Sequence, residues 1–253
     1  MKFIKLIFLT LAIPLSGTSA LKAQNAENIL KKHIAAMGGK KWNDIKTITI
    51  ASHTKALSME VDGNETMDVT KEKMRIDMSV MGTDCYIIVT PEGGWGYMPA
   101  RGVTPLPADD AKEQLKKMNF RDEYLIDKSN IKSIEYAGNE TIDNVPCYKL
   151  NVTGKDDNTQ TAFFDIATYY LVCSVKHVKT AEHNFDMTFN YSNFQAIPGS
   201  SIIMPMTTTS EHGTVTYKTI EINKPVDEKI FKPDAPAAAA DGETEPPKKE
   251  ISK

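Results

Sequence analysis

Apolar and polar residues alternate with a period of two through most of this chain, and that period places successive side chains on opposite faces of a β-sheet. The clearest run is Val145 to Tyr191. Tyr148, Leu150 and Val152 alternate with Lys149 and Asn151. Ala162, Phe164 and Ile166 follow, then Leu171, Cys173 and Val175, then Phe185, Met187, Phe189 and Tyr191. The turns between them are too short for parallel crossovers, so the run predicts a four-stranded antiparallel meander with one apolar and one wet face. Upstream, Met74, Ile76, Met78 and Val80 alternate strictly with Arg75, Asp77 and Ser79, and Asp62-Gly63-Asn64 carries a hairpin-turn signal. Cys85 to Val89 is nearly continuous in apolar residues, as expected of a strand buried on both faces. Gly93 to Met98 closes that segment, and Pro99 to Pro107 reads as a loop. Ile131 to Ala137 is a further strand, with a turn over Asn139 to Asn144. Ile202 to Thr209 and Thr214 to Ile222 make a last hairpin. In the final strand the apolar phase changes between Tyr217 and Ile220, which predicts a β-bulge.

The period changes to that of a helix in two places. Ile29, Leu30, His33, Ile34 and Met37 share one face of a helix over Ala26 to Met37, which Gly38-Gly39 stops. Asp109 to Phe120 is a second helix, with acidic residues at its positive end and a narrow stripe of Ala111, Leu115 and Met118. The fold class is α+β, mostly β: ten or so antiparallel strands and two helices, a sheet large enough to curl around a cavity.

The two ends of the chain differ from this body. Lys2 and Lys5, the apolar run Ile7 to Leu15 and the small residue Ala23 read as a secretory signal over residues 1–23, cleaved near Ala23 or Ala20. The run is short for a bilayer span, and no cysteine precedes Cys85 for lipid attachment. Residues 24–233 then form the folded domain. Residues 234–253, rich in Ala, Pro, Glu and Lys, cannot bury enough surface to offset their ordering entropy and are expected to be disordered.

Charge and side-chain chemistry narrow the function. The formal net charge is −3 and becomes more negative once the lysines of the signal are removed; only Arg75, Arg101 and Arg121 are arginines. A nucleic-acid binder carries a basic face, so that class is set aside. Cys147 and Cys173 fall on alternate strands of the meander, roughly 10 Å apart, too far for a disulfide. All three cysteines read as free, small apolar residues, with a bridge from Cys85 to one of the others left open. The chain has no G-x-S-x-G, no H-E-x-x-H and no Gly-rich phosphate loop. His177, His183 and His212 lie near strand ends without ligand spacing, and Asp156-Asp157 belongs to a polar turn, so no catalytic site, metal or cofactor is assigned. The methionines Met59, Met67, Met74, Met78, Met81, Met98, Met118, Met187, Met204 and Met206 are spread over many strands and suit either an adaptable apolar surface or a tolerant core.

Several segments resemble a known family. They are Ala26 to His33 with Gly38-Gly39-Lys40-Lys41-Trp42, Glu92 to Pro99 followed by Pro105-Leu106-Pro107, Tyr191-Ser192-Asn193-Phe194, Ile203-Met204-Pro205, and Ile220 to Phe231. Together they are similar to the LolA/LolB-like outer-membrane lipoprotein-sorting proteins of Gram-negative bacteria, over roughly residues 26–231. The resemblance implies an eleven-stranded antiparallel half-barrel with helices across its open mouth, whose cavity holds acyl chains of lipoproteins crossing the periplasm. The expected function is periplasmic, non-catalytic binding or carriage of an acyl chain, lipoprotein or other lipid, with a membrane-bound acceptor or a partner protein. The alternatives are an envelope sensor or protein-interaction module of the same fold, and a hydrolase. The expected ligand surface joins Met74, Ile76, Met78 and Val80 on one strand, Phe185, Met187 and Phe189 on a partner strand, and Leu115 and Met118 from the helix above.

Overall fold

The computed structural model is described over residues 17–56, 58–117, 120–179 and 184–234. Its first element, α1 (Gly17–Ala36), begins nine residues before the helix expected from the apolar stripe. Ala26, Ile29, Leu30 and His33 recur at helical spacing and are all buried. The helix stops at Gly38, whose φ of 114° and close approach to Ile202, where a Cβ would meet the backbone at 2.9 Å, require glycine. Its terminal carbonyls find partners: the Met37 oxygen accepts from Trp42 Nε1 (2.7 Å) and from the Ile203 amide (3.1 Å). A 3-10 turn, Gly39–Asp44, then buries Trp42.

Among the described residues thirteen strands follow in one sheet, two more than the resemblance implies. They are β1 (Thr47–Ala56), β2 (Met59–Asp68), β3 (Lys73–Val80), β4 (Thr83–Thr90), β5 (Gly93–Met98), β6 (Gly102–Leu106), β7 (Ile131–Ile142), β8 (Val145–Gly154), β9 (Thr159–Asp165), β10 (Leu171–Lys179), β11 (Asn184–Ala196), β12 (Ile203–Ser210) and β13 (Gly213–Ile222). Two short helices, α2 (Ala108–Lys117) and α3 (Phe120–Glu123), interrupt the series between β6 and β7. Every described pairing is antiparallel and the order is β6-β5-β4-β3-β2-β1-β13-β12-β11-β10-β9-β8-β7. The sheet is curled and unclosed, with helices on its inner face, the half-barrel architecture that was expected.

Three local expectations are corrected by the pairing. The segment read as a loop before α2 contains β6, because Val103 to Leu106 pair along β5 despite Pro105, which an edge strand tolerates. Asp62-Gly63-Asn64 is not a turn but the middle of β2; Gly63 faces Ser52, and the hairpin closes at Ala56 and Met59. The turn expected over Asn139 to Asn144 is mostly strand, since β7 runs on to Ile142 through an irregularity between Tyr136 and Gly138. The expected bulge in β13 is present: Ala51 pairs with Thr219 and Ser52 with Tyr217, leaving Lys218 as the extra residue.

The main core lies between α1, the 3-10 turn and the inner face of β1, β13 and β8–β11. It includes Leu30, Trp42, Ile48, Leu150, Phe164, Tyr191 and Ile220. A smaller cluster of Met74, Val89 and Ala111 lies under α2. The outer face is not uniformly wet. Cys147, Phe163 and Cys173 form a buried patch there, and a 3-10 segment, Glu228–Phe231, lays Phe231 against Tyr86 and Ile88. That packing explains the apolar run in β4, although Ile87 itself stays partly open on the inner side. All three cysteines are free, and burial pushes the thiols of Cys147 and Cys173 up to about 11.

Candidate functional site

A hollow of about 1180 Å³ lies between the α2–α3 region and the two wings of the sheet. Coiling of the sheet brings the β2–β3 and β4–β5 turns (Val69, Glu72, Pro91) opposite the β8–β9 turn (Lys155, Asp156, Asn158) across the trough. Met67, Leu115, Leu125, Ile131, Val152 and Val178 supply apolar wall. Lys112, Arg121, Lys155 and Lys176 are its cations and Glu72, Asp127 and Asp156 its anions. Arg121 lies 4.0 Å from Asp127 and donates to Asn43 at 3.0 Å, tying the α3 turn to the 3-10 turn.

Eight of the nine residues expected to form the ligand surface lie in the described residues, spread over β3, β11 and α2. Leu115 lines the main cavity, and Met74 lies fully buried beneath it with Ile76 at its side. Met78 is at the other end of β3, opposite Cys85, in a second hollow of about 560 Å³. Val80 closes the β3–β4 hairpin opposite Thr83. Met118 lies outside the described residues. Phe185, Met187 and Phe189 are on β11, with β2, β1, β13 and β12 between it and β3, so the two groups flank the trough rather than touch. Phe185 pairs with Val178 and Met187 with Lys176, both cavity residues, whereas Phe189 packs on the main core.

Sequence reading missed the polar part of this wall for an identifiable reason. Leu171 pairs with Phe164 but Cys173 pairs with Phe163, so a bulge at Val172 reverses the phase of β10. Leu171 points into the main core, while Cys173 and Val175 turn to the outer patch. Ser174, Lys176 and Val178 therefore face inward. Lys176 sits directly opposite Gln160, and Gln160 opposite Val152. The Lys176 ammonium lies 4.8 Å from the Phe189 ring centroid, and the Gln160 Oε1 is buried without a hydrogen-bond partner.

Deeper in the trough, ionisable groups gather around α3. Tyr124 and Tyr217 hydroxyls are 3.4 Å apart, and Ser174 and Tyr191 hydroxyls 3.1 Å apart. Burial holds all three phenols above their ordinary range. It also raises the Glu65 carboxyl, and the neighbouring Glu123 charge adds to the rise. His33 is fully buried between the carbonyl oxygens of Tyr169 and Tyr124, each 2.8 Å from a ring nitrogen, and burial pushes its pKa down. It joins α1 to the β9–β10 turn and to α3.

One arrangement resembles a catalytic relay. Asp186 Oδ1 lies 2.8 Å from His177 Nδ1, and His177 Nε2 lies 3.1 Å from the Thr161 hydroxyl. These residues belong to the outward phase of β9, β10 and β11, and the Thr161 hydroxyl also lies 3.3 Å from Asn151 Oδ1. The row is a cross-strand polar ladder on the outer surface.

No protein-family model matches the sequence, and no curated protein matches it. Solved structures do. A DUF1329 family protein from Desulfovibrio piger is similar with a TM-score of 0.53 at 12% identity, over 82% of this chain and 97% of that one. A LolA superfamily protein from Nitrosomonas europaea is similar with a TM-score of 0.49 at 17% identity, over 82% of this chain and 97% of that one. At 12% identity the first likeness shows a shared fold and says nothing of chemistry.

Proposed function

We propose that this chain is an exported, periplasmic, non-catalytic protein that binds or carries an acyl chain, a lipoprotein or another lipid. The observation that carries this reading is the cavity of about 1180 Å³ under α2 and α3, set in a LolA-like half-barrel. A small-molecule site encloses roughly 300–1,000 Å³, so this hollow has room for a long alkyl chain. Further apolar groups left partly or largely exposed stand on strands to either side: Ile76 on β3, Phe185 and Met187 on β11. Met lining lets such a wall adapt to chains of different shape.

Titration of a fluorescent acyl-chain probe tests the proposal. Wild type should bind saturably at one site. Leu115→Asp should weaken binding at least tenfold, because a carboxylate in the wall would be desolvated by the chain, while the thermal melt remains cooperative. Absence of saturable binding by the wild type would remove the lipid-binding reading.

A further inference from the structure

The wall of the cavity carries a charge that an acyl chain alone would leave stranded. Lys176 is central in β10 and directed inward by the bulge at Val172. Among the described residues no carboxylate lies within ion-pair distance of its ammonium; its one recorded partner is the Phe189 ring. Directly opposite stands Gln160, whose Oε1 is buried and unpartnered. Apolar residues bracket the pair on the same row: Val152 beyond Gln160, Met187 beyond Lys176. A neutral chain filling this space would desolvate the ammonium and leave the amide oxygen unpaired, and each of those changes is unfavourable.

We propose that the cavity is built for an anionic amphiphile, whose carboxylate or phosphate head pairs with Lys176 while its chain runs along the apolar wall. This rests on the lipid-binding reading above and adds the chemistry of the headgroup. An ammonium has three donors, so one N–H of Lys176 reaches the anion and another satisfies Gln160 Oε1 across the strand pair. The rest of the rim is mixed: Lys112 and Lys155 add positive charge, Arg121 is engaged with Asp127, and Glu72 and Asp156 are its other carboxylates. The anion thus supplies a counter-charge that no described residue places beside Lys176.

Calorimetric titration with decanoate, decyl phosphate and decanol, each below its aggregation limit, tests this on the full chain. The wild type should bind at least one of the two anions about tenfold or more tighter than decanol, the size of one charge-assisted hydrogen bond. The tighter anion identifies the head as carboxylate or phosphate. Lys176→Met should abolish the preference while decanol binding holds or strengthens, Lys176→Gln should do the same without adding apolar surface, and Lys176→Arg should retain it. Thermal melts of each variant report folding. Equal binding of decanol and both anions by the wild type, or a preference that survives in Lys176→Met and Lys176→Gln, would overturn the headgroup assignment and leave the lipid-binding reading in place. No saturable binding of any of the three compounds would overturn both.

Discussion

The half of the sheet under α1 and the half under α2 use the same antiparallel pairing and are packed very differently. Under α1 and the 3-10 turn, twenty-one buried residues form one continuous core, sealed by Trp42, Leu30, Phe164 and the buried ring of His33. Under α2 the buried set is three residues, Met74, Val89 and Ala111, with Ile76 and Leu115 only partly covered. α1 offers a broad stripe of large side chains, whereas α2 offers Ala111 and Leu115 amid Asp, Glu and Lys. A narrow stripe cannot fill the trough, and the volume it leaves is the cavity. The closed core lies in the α1 half, and the open volume lies between α2 and the β8–β10 wing of the sheet.

That contrast breaks if the two halves respond alike to loss of volume. Leu30→Ala and Phe164→Ala should each cost about 3–5 kcal/mol in urea unfolding, the usual penalty for a cavity in a closed core. Met78→Ala, on the open side, should cost about 1 kcal/mol or less. Equal penalties would mean that the β3 side is also a closed core. Phe231→Ala probes the outer cover of the same side. Phe231 is 3% exposed against Tyr86 and Ile88, so its loss should cost about 3 kcal/mol. A cost below about 0.5 kcal/mol would show that the C-terminal segment only rests on the sheet.

The pH dependence separates an outer clamp from an inner carboxylate, with opposite signs. Glu228 is held between Lys71 and Lys73, which lower its pKa from 4.5 to about 2. A depressed carboxylate stabilises the fold above its unfolded pKa and loses that contribution as pH falls, here between 4.5 and about 2. Glu65 has its pKa raised by burial, so the folded state holds its proton more tightly, and stability declines as pH rises through its titration. Melting curves should therefore show Glu228→Gln less stable than wild type at neutral pH and converging with it in acid. Glu65→Gln should be more stable than wild type at neutral pH, with the gain fading in acid. Slopes of the same sign for the two variants would refute this assignment. The smallest effect concerns residues 235–253, outside the described structure. Arg75, stacked on Tyr86 at 4.5 Å, holds Asp234 by a salt bridge at the end of the described chain. Truncation after Asp234 should change stability by less than about 0.5 kcal/mol, and a larger fall in melting temperature would show that the removed segment is docked.

Much of the fold was legible in the sequence because strand alternation is a local property. The period of Tyr148, Leu150 and Val152, the helical spacing of Ile29, Leu30 and His33, the Gly38-Gly39 stop and the phase change in β13 each follow from residues within a dozen positions of one another. Placement of the candidate site was not local. Asp62-Gly63-Asn64 has turn chemistry, yet pairing with β1 and β3 keeps it in a strand. The two groups of the expected ligand surface lie on strands whose separation is fixed by the strand order, and β13 inserted beside β1 puts four strands between them. Lys176 belongs by simple alternation to the wet face, and only the bulge at Val172, set where β9 and β10 pair, turns it into the trough beside Gln160. Sequence alone determined the elements and their apolar faces, because backbone periodicity and turn chemistry act over a few residues. Tertiary structure alone decided which polar groups share the cavity, because register is fixed by pairing across the sheet and one extra residue reverses every side chain beyond it.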